Sequence, residues 1–166
     1  AFDIVQTLIK DQLIVAGHDR SDGGLVTTLL EMAFAGGCGI SCSFTGSDWA
    51  SVLFNEAPGL VVQCSKGKEN AVLQAFAGLN AVQCGSIAED CSISVNGSVV
   101  LKASVSELWK EWESTSFAME RLQGRDAKCV AAEEASLQVR TPPVYRFAFD
   151  AWVERPLSAR KRVAVI

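Results

Sequence analysis

The sequence predicts an α+β fold, with a mixed or antiparallel sheet packed by helices and a helical and extended linker after it. Three observations predict this. Strand-like runs recur at 38–44, 60–64, 81–87, 91–95 and 99–102. Apolar residues at helical spacing precede and separate several of these runs. Asn96-Gly97 stands between the last two, and both residues tolerate positive φ, the signature of a tight hairpin. A chain of 166 residues has room for one domain with a sizeable core and a tail.

Phe2, Val5, Leu8, Ile9 and Leu13 mark an amphipathic helix over 2–13. It has no convincing cap, and its start in mid-pattern reads as a chain that begins inside a longer polypeptide. Residues 13–17 then lead into a loop, 18–24. A second helix over 25–35 has Ser21 or Asp22 as N-cap and Gly36-Gly37 as its stop. Residues 38–44 alternate as a strand does, and the valine-rich run 60–64 is a second strand. A helix over 69–77 precedes the three strand-like runs ending at 102. Leu108, Trp112, Thr115, Met119 and Leu122 define one face of a helix over 107–123, capped from the Ser104/Ser106 region. A more polar helix over 126–139 ends at Thr141-Pro142-Pro143, and 140–160 carry little periodicity.

Composition narrows the function. A formal charge of -4 and a pI near 5.0 disfavour a phosphate backbone as partner, and Arg160, Lys161 and Arg162 are the one dense basic cluster. Nucleic acid is therefore not an expected partner. The N-terminal apolar residues are interrupted by Asp3, Lys10 and Asp11, so neither a leader nor a membrane span is predicted there. Six cysteines without a CxxC pair, beside a single histidine, read as reduced and mostly buried thiols of a cytoplasmic protein. Cys38 and Cys42 are the nearest pair, and the Gly39-Ile40 between them reads as entry to a strand instead of a metal knuckle.

The segment His18-Asp19-Arg20-Ser21-Asp22-Gly23-Gly24 carries the candidate chemistry. Glycines let a backbone approach a ligand, and the amides of the following helix attract an anion. Carboxylates beside a phosphate repel it unless a hard cation lies between, and Asp19 or Asp22 can supply oxygens to that cation. Asp22, next to the glycines, is also a plain helix cap. Asp19 lies outside the helix and has no capping task. Ser21 can cap or donate its hydroxyl to a phosphate. His18 invites a general-base role, although no nucleophile or orienting partner is evident nearby.

Residues 17–25, continued by Glu31-Met32-Ala33-Phe34-Ala35-Gly36 and Cys38-Gly39-Ile40, closely resemble the second synthase-like C-terminal domain of the large, single-chain phosphoribosylformylglycinamidine synthases. The resemblance continues at Leu53-Phe54-Asn55-Glu56, Pro58-Gly59, Val95-Asn96-Gly97, Trp112-Glu113, Thr115-Ser116-Phe117, Arg121-Leu122-Gln123 and Cys129-Val130. It extends to Arg162-Val163-Ala164-Val165-Ile166, similar to the opening strand of the glutamine amidotransferase domain in that family. The resemblance implies a domain like the C-terminal domain of aminoimidazole ribonucleotide synthetase over 1–123, a linker over 124–161 and the start of the amidotransferase at 162–166. It implies an ATP- and glutamine-using ligase whose second nucleotide site holds an auxiliary ADP with Mg²⁺. There Asp19 would be a Mg²⁺ ligand and Ser21 a nucleotide contact, with catalytic residues and remaining ligands supplied by other synthase and glutaminase domains of the polypeptide. Ala57, Leu60 and Gly37 depart from the family pattern, the first two in the loop after Asn55 and at its exit. A different ATP-using synthase of the superfamily, of the selenophosphate synthetase or hydrogenase-maturation type, and a non-catalytic docking module are the alternatives.

Overall fold

The computed structural model describes residues 1–124, 126–136, 144 and 146. The linker beyond 136, apart from Val144 and Arg146, and the strand expected at 162–166 lie outside the described residues. Twelve elements follow in order: α1 (Phe2–Lys10), β1 (Ile14–Arg20), α2 (Gly24–Gly36), β2 (Gly39–Phe44), α3 (Trp49–Leu53), β3 (Gly59–Cys64), α4 (Glu69–Ala75), β4 (Gly85–Ala88), β5 (Cys91–Val95), β6 (Ser98–Ala103), α5 (Val105–Gln123) and α6 (Ala127–Ser136). The class is α+β, as expected.

The strands form two sheets where one was expected. β4-β2-β5-β6 is a mixed four-stranded sheet, and β1-β3 is a separate antiparallel ribbon. Within the larger sheet β5 runs parallel to β2, while β4 and β6 are antiparallel to their neighbours. The run at 60–64 thus joins the ribbon, because its partner is residues 14–20, read from sequence as a helix exit and loop. Gly17, His18, Asp19 and Arg20 have weak strand preference, yet the ladder that pairs Gly17 with Val62 and Arg20 with Gly59 holds them extended. The expected strand over 81–87 is confined to Gly85–Ala88: its pairing begins where Gly85 meets Cys42, and Val82 is left exposed.

Two apolar clusters hold these layers. In the larger one, Cys91, Ile93 and Val95 alternate inward from β5 and meet Val26, Leu29 and Ala33 of α2, Ile40 and Cys42 of β2, and Leu53 of α3. In the smaller one, Leu8 of α1 and Ile14 of β1 pack with Val72 and Phe76 at α4. Two of the six free cysteines, Cys42 and Cys91, are buried, and Cys129 is exposed, so the thiols are less buried than composition suggested. The Cys84 thiol is lowered to about 7, chiefly by a hydrogen bond with the Cys42 thiol. That same bond, and then burial, pushes Cys42 up.

The turn chemistry follows the sequence closely at the hairpin. Asn96 and Gly97 take φ of 51° and 80° between β5 and β6. The Asn96 amide also reaches across to the loop after β2, donating to Gly46 O at 2.8 Å and accepting from Gly46 N at 3.1 Å. Ser104 caps α5 in a reciprocal capping box with Glu107. Asp48 caps the short α3 through Ser51 N, an element the sequence reading passed over. The face assigned to the long helix is partly displaced. Val105 and Leu108 pack on the larger cluster and Trp109 and Trp112 meet Phe34, but farther along Phe117 is buried while Met119 and Leu122 are exposed. A period of 3.6 residues permits several neighbouring stripes, and only the packing partners select one. α6, expected within the linker, packs back on α5 with Val130 buried and an Arg121–Glu134 ion pair.

Ile93 has no exposed surface. Ile93→Ala should lower unfolding stability by about 3 kcal/mol, read as a shifted urea midpoint.

Candidate functional site

The candidate residues collect where β1 ends and α2 begins. Arg20 closes the strand, Gly24 N donates to Ser21 O at 3.0 Å, and Gly23 and Gly24 carry φ of 79° and 75° into the helix. Gly23 is the N-cap and no side chain caps the helix from within the turn. Neither Ser21 nor Asp22 therefore fills the capping role expected of them. The positive φ at Gly23 moves the helix start one residue past Asp22, leaving both side chains exposed on the outside of the turn.

The helix end is satisfied from a distant segment. Glu56 Oε1 accepts from Gly23 N at 2.9 Å. Beside it, Arg20 Nε donates to Ala57 O, and Asn55 Oδ1 accepts from Ala57 N at 2.7 Å, folding the loop onto itself. Gly24 sits against the backbone of that segment: a β-carbon there would lie 2.6 Å from the Phe54 carbonyl carbon and 2.9 Å from Leu53 O. The loop 54–59 thus grips the turn from both sides, through Arg20 before it and Gly23-Gly24 after it.

The end of β1 is also fastened to α2. Thr28, buried in the first turns of α2, places Oγ1 3.3 Å from Asp19 O and 3.1 Å from Gly24 O. His18 Nε2 lies 3.1 Å from Glu31 Oε2, and His18 Nδ1 lies 2.6 Å from Asp19 O. This gives His18 the orienting partner that was not evident in the sequence, without a nucleophile in its reach among these contacts. The Asp19 carbonyl oxygen therefore has two polar neighbours, His18 Nδ1 and Thr28 Oγ1. The Asp19 side chain is 73% exposed, with one oxygen 3.5 Å from His18 Nδ1, so carboxylate oxygens remain open to a ligand.

Asp19 lies near the end of β1, not in a loop, and Ser21 and Asp22 follow in the turn after it. A groove of about 510 Å³ runs along β1 from Val5 and Ile9 of α1, past Val15 and Leu60, to His18 and Asp19. Its walls are largely apolar and its far end is polar. Glu31, Glu56, Thr28 and Arg20 were not singled out from sequence as parts of this arrangement. The fragments 31–36 and 53–56 carried the family resemblance, yet nothing in the linear pattern paired Glu56 with Gly23, 33 residues away.

Comparison with known proteins adds to this geometry. The family model described as "AIR synthase related protein, C-terminal domain" matches residues 1–98. The chain is 47% identical over 154 residues to the phosphoribosylformylglycinamidine synthase of Homo sapiens. It is 40% identical over 154 residues to a probable phosphoribosylformylglycinamidine synthase, chloroplastic/mitochondrial, of Arabidopsis thaliana, and 33% identical over 180 residues to the Schizosaccharomyces pombe synthase. These alignments cover 87%, 89% and 99% of this chain but 11%, 11% and 14% of the relatives. The chain thus spans only a small part of their length. Structures of T. maritima PurL complexed with FGAR and with AMPPCP share 14% identity and a TM-score of 0.50, covering 64% of this chain and 20% of theirs. At that identity the likeness speaks for the fold.

Gly24→Ala should disrupt the turn. The substituted residue combines an unfavourable positive φ with overlap against backbone that cannot rotate away. The expected loss is about 2–4 kcal/mol, read as a lower melting temperature together with faster amide exchange over 20–24 and 54–59.

Proposed function

Because this chain belongs to the AIR synthase related protein C-terminal domain family, we propose that it is one segment of an ATP-dependent carbon–nitrogen ligase with glutamine as amide donor. The whole polypeptide would convert formylglycinamide ribonucleotide, glutamine, ATP and water to formylglycinamidine ribonucleotide, glutamate, ADP and phosphate. The segment itself contributes to an auxiliary Mg²⁺-nucleotide site and to surfaces for the other synthase and glutaminase domains. A cytosolic location goes with this reading. Among the described residues no helix is long and apolar enough to cross a membrane.

The observation that carries the site assignment is the state of Asp19: its carbonyl oxygen meets His18 Nδ1 and Thr28 Oγ1 while its carboxylate stays exposed. A hard cation favours such an oxygen donor. Asp19 would hold Mg²⁺ at the strand end, and the cation would supply positive charge that offsets the repulsion between carboxylate and phosphate. Ser21, exposed two residues on, offers a hydroxyl donor to the nucleotide, and its carbonyl is already engaged by Gly24 N. The family match covers this turn, and the resemblance at residues 17–25 is dense.

Asp19→Asn in the full-length protein preserves shape and removes one negative ligand. Nucleotide affinity should fall on the order of tenfold, about 1.4 kcal/mol. Less ADP should co-purify, and the melting temperature should drop by an amount that excess Mg²⁺-ADP partly restores. Full nucleotide content and wild-type melting in the mutant would remove Asp19 from the site.

A further inference from the structure

Two thiols meet where the edge strand β4 joins β2. Ser43 N donates to Cys84 O at 2.8 Å, and Cys42 beside it pairs with Gly85. Cys84 therefore stands one residue diagonal to Cys42 across antiparallel backbone, a spacing within the Cα separation that a disulfide spans. Gly85 makes room for the approach: a β-carbon there would lie 2.7 Å from Cys42 Sγ, so the sulfur occupies space that a side chain would fill. The two thiols are hydrogen-bonded to each other.

Their surroundings differ. Cys42 is buried in the larger cluster, whereas Cys84 is half-buried and residues 81–83 and 85–87 on either side of it are exposed. A small reagent in water thus reaches Cys84 before Cys42. The hydrogen bond from Cys42 lowers Cys84 to about 7, so much of it is thiolate, the reactive form, near neutral pH. Cys42 is pushed up and keeps its proton. Cys91, on the strand at the other side of β2, has no exposed surface, and its sulfur meets the Ile40 backbone.

We propose that Cys84 and Cys42 form a peroxide-reactive dithiol, in which Cys84 is oxidised from solvent and Cys42 captures it as a reversible cross-strand disulfide. The oxidant is a hydroperoxide. The Cys84 thiolate attacks one peroxide oxygen: an S–O bond forms, the O–O bond breaks, and hydroxide leaves and takes up a proton to become water when the reagent is hydrogen peroxide. The Cys42 sulfur then attacks the sulfur of the Cys84 sulfenic acid. The S–S bond forms, the S–O bond breaks, and the hydroxyl leaves as water with the Cys42 proton. Each sulfur loses one electron and the peroxide gains two. A dithiol reductant returns both thiols by exchange. None of the residues of the β1–α2 turn takes part, so the dithiol is independent of the nucleotide reading.

The test treats the full-length protein with hydrogen peroxide at neutral pH, alkylates the remaining thiols and maps unreduced peptides by mass spectrometry. Wild type, still native by near-UV circular dichroism, should yield a peptide pair linked through Cys42 and Cys84, lighter by two hydrogens than the dithiol and released by dithiothreitol. Cys42→Ala should lose the link and accumulate Cys84 sulfinic acid at least about fivefold over wild type, because the sulfenic acid is no longer intercepted. Cys84→Ser should leave Cys42 a free thiol. Where a variant fails to fold, the wild-type link decides alone. Native wild type that carries Cys84 to sulfinic acid without a linked peptide, or links Cys84 to another cysteine, would overturn the inference. So would oxidation of the exposed Cys129 while Cys84 and Cys42 both remain thiols.

Discussion

The close approach of Gly24 to the backbone of Phe54 is the contact on which the rest of the candidate site depends. No side chain fits between them, so the first turn of α2 rests directly on the segment after α3. That contact brings Glu56 within reach of Gly23 N and Ala57 O within reach of Arg20. Backbone-to-backbone seating leaves no rotamers to reorganise, so the turn is fixed without a large apolar anchor of its own.

The turn also lies at the seam between the two apolar clusters. β1 starts in the smaller cluster at Ile14 and ends at Asp19 and Arg20, beside a helix whose inner face belongs to the larger one. Thr28 and the His18–Glu31 pair cross that seam. Polar groups do here what apolar packing does elsewhere, because a strand end that must keep a carboxylate in water cannot be buried. Rigid support and an exposed functional atom are reconciled by fastening the main chain and releasing the side chain.

Much of this was legible in the sequence where information is local. The hairpin at Asn96-Gly97, the stop at Gly36-Gly37, the cap from the Ser104/Ser106 region and the strand over 91–95 are each specified within a few residues. β1 was not legible, since a stretch of Gly, His, Asp and Arg becomes a strand only through a partner some 40 residues away. The division into two sheets follows from that same partner. Asp19 and Ser21 were placed together because they are neighbours in sequence; Glu31 and Glu56, which complete their surroundings, were hidden because helix and loop bring them in from outside the motif. The exposed Met119 and Leu122 show the converse limit, where a periodic stripe is left uncovered among the described residues.

Asn96 illustrates how one position can be held by unrelated demands. Its backbone needs a residue that accepts positive φ, a condition met by Gly, Asn and Asp. Its side chain needs both a donor and an acceptor to meet Gly46 O and Gly46 N. Glycine answers only the first demand, and ionised aspartate has no hydrogen to offer Gly46 O. Of those three residues only asparagine answers both demands, so a position on the protein's surface carries a narrow choice.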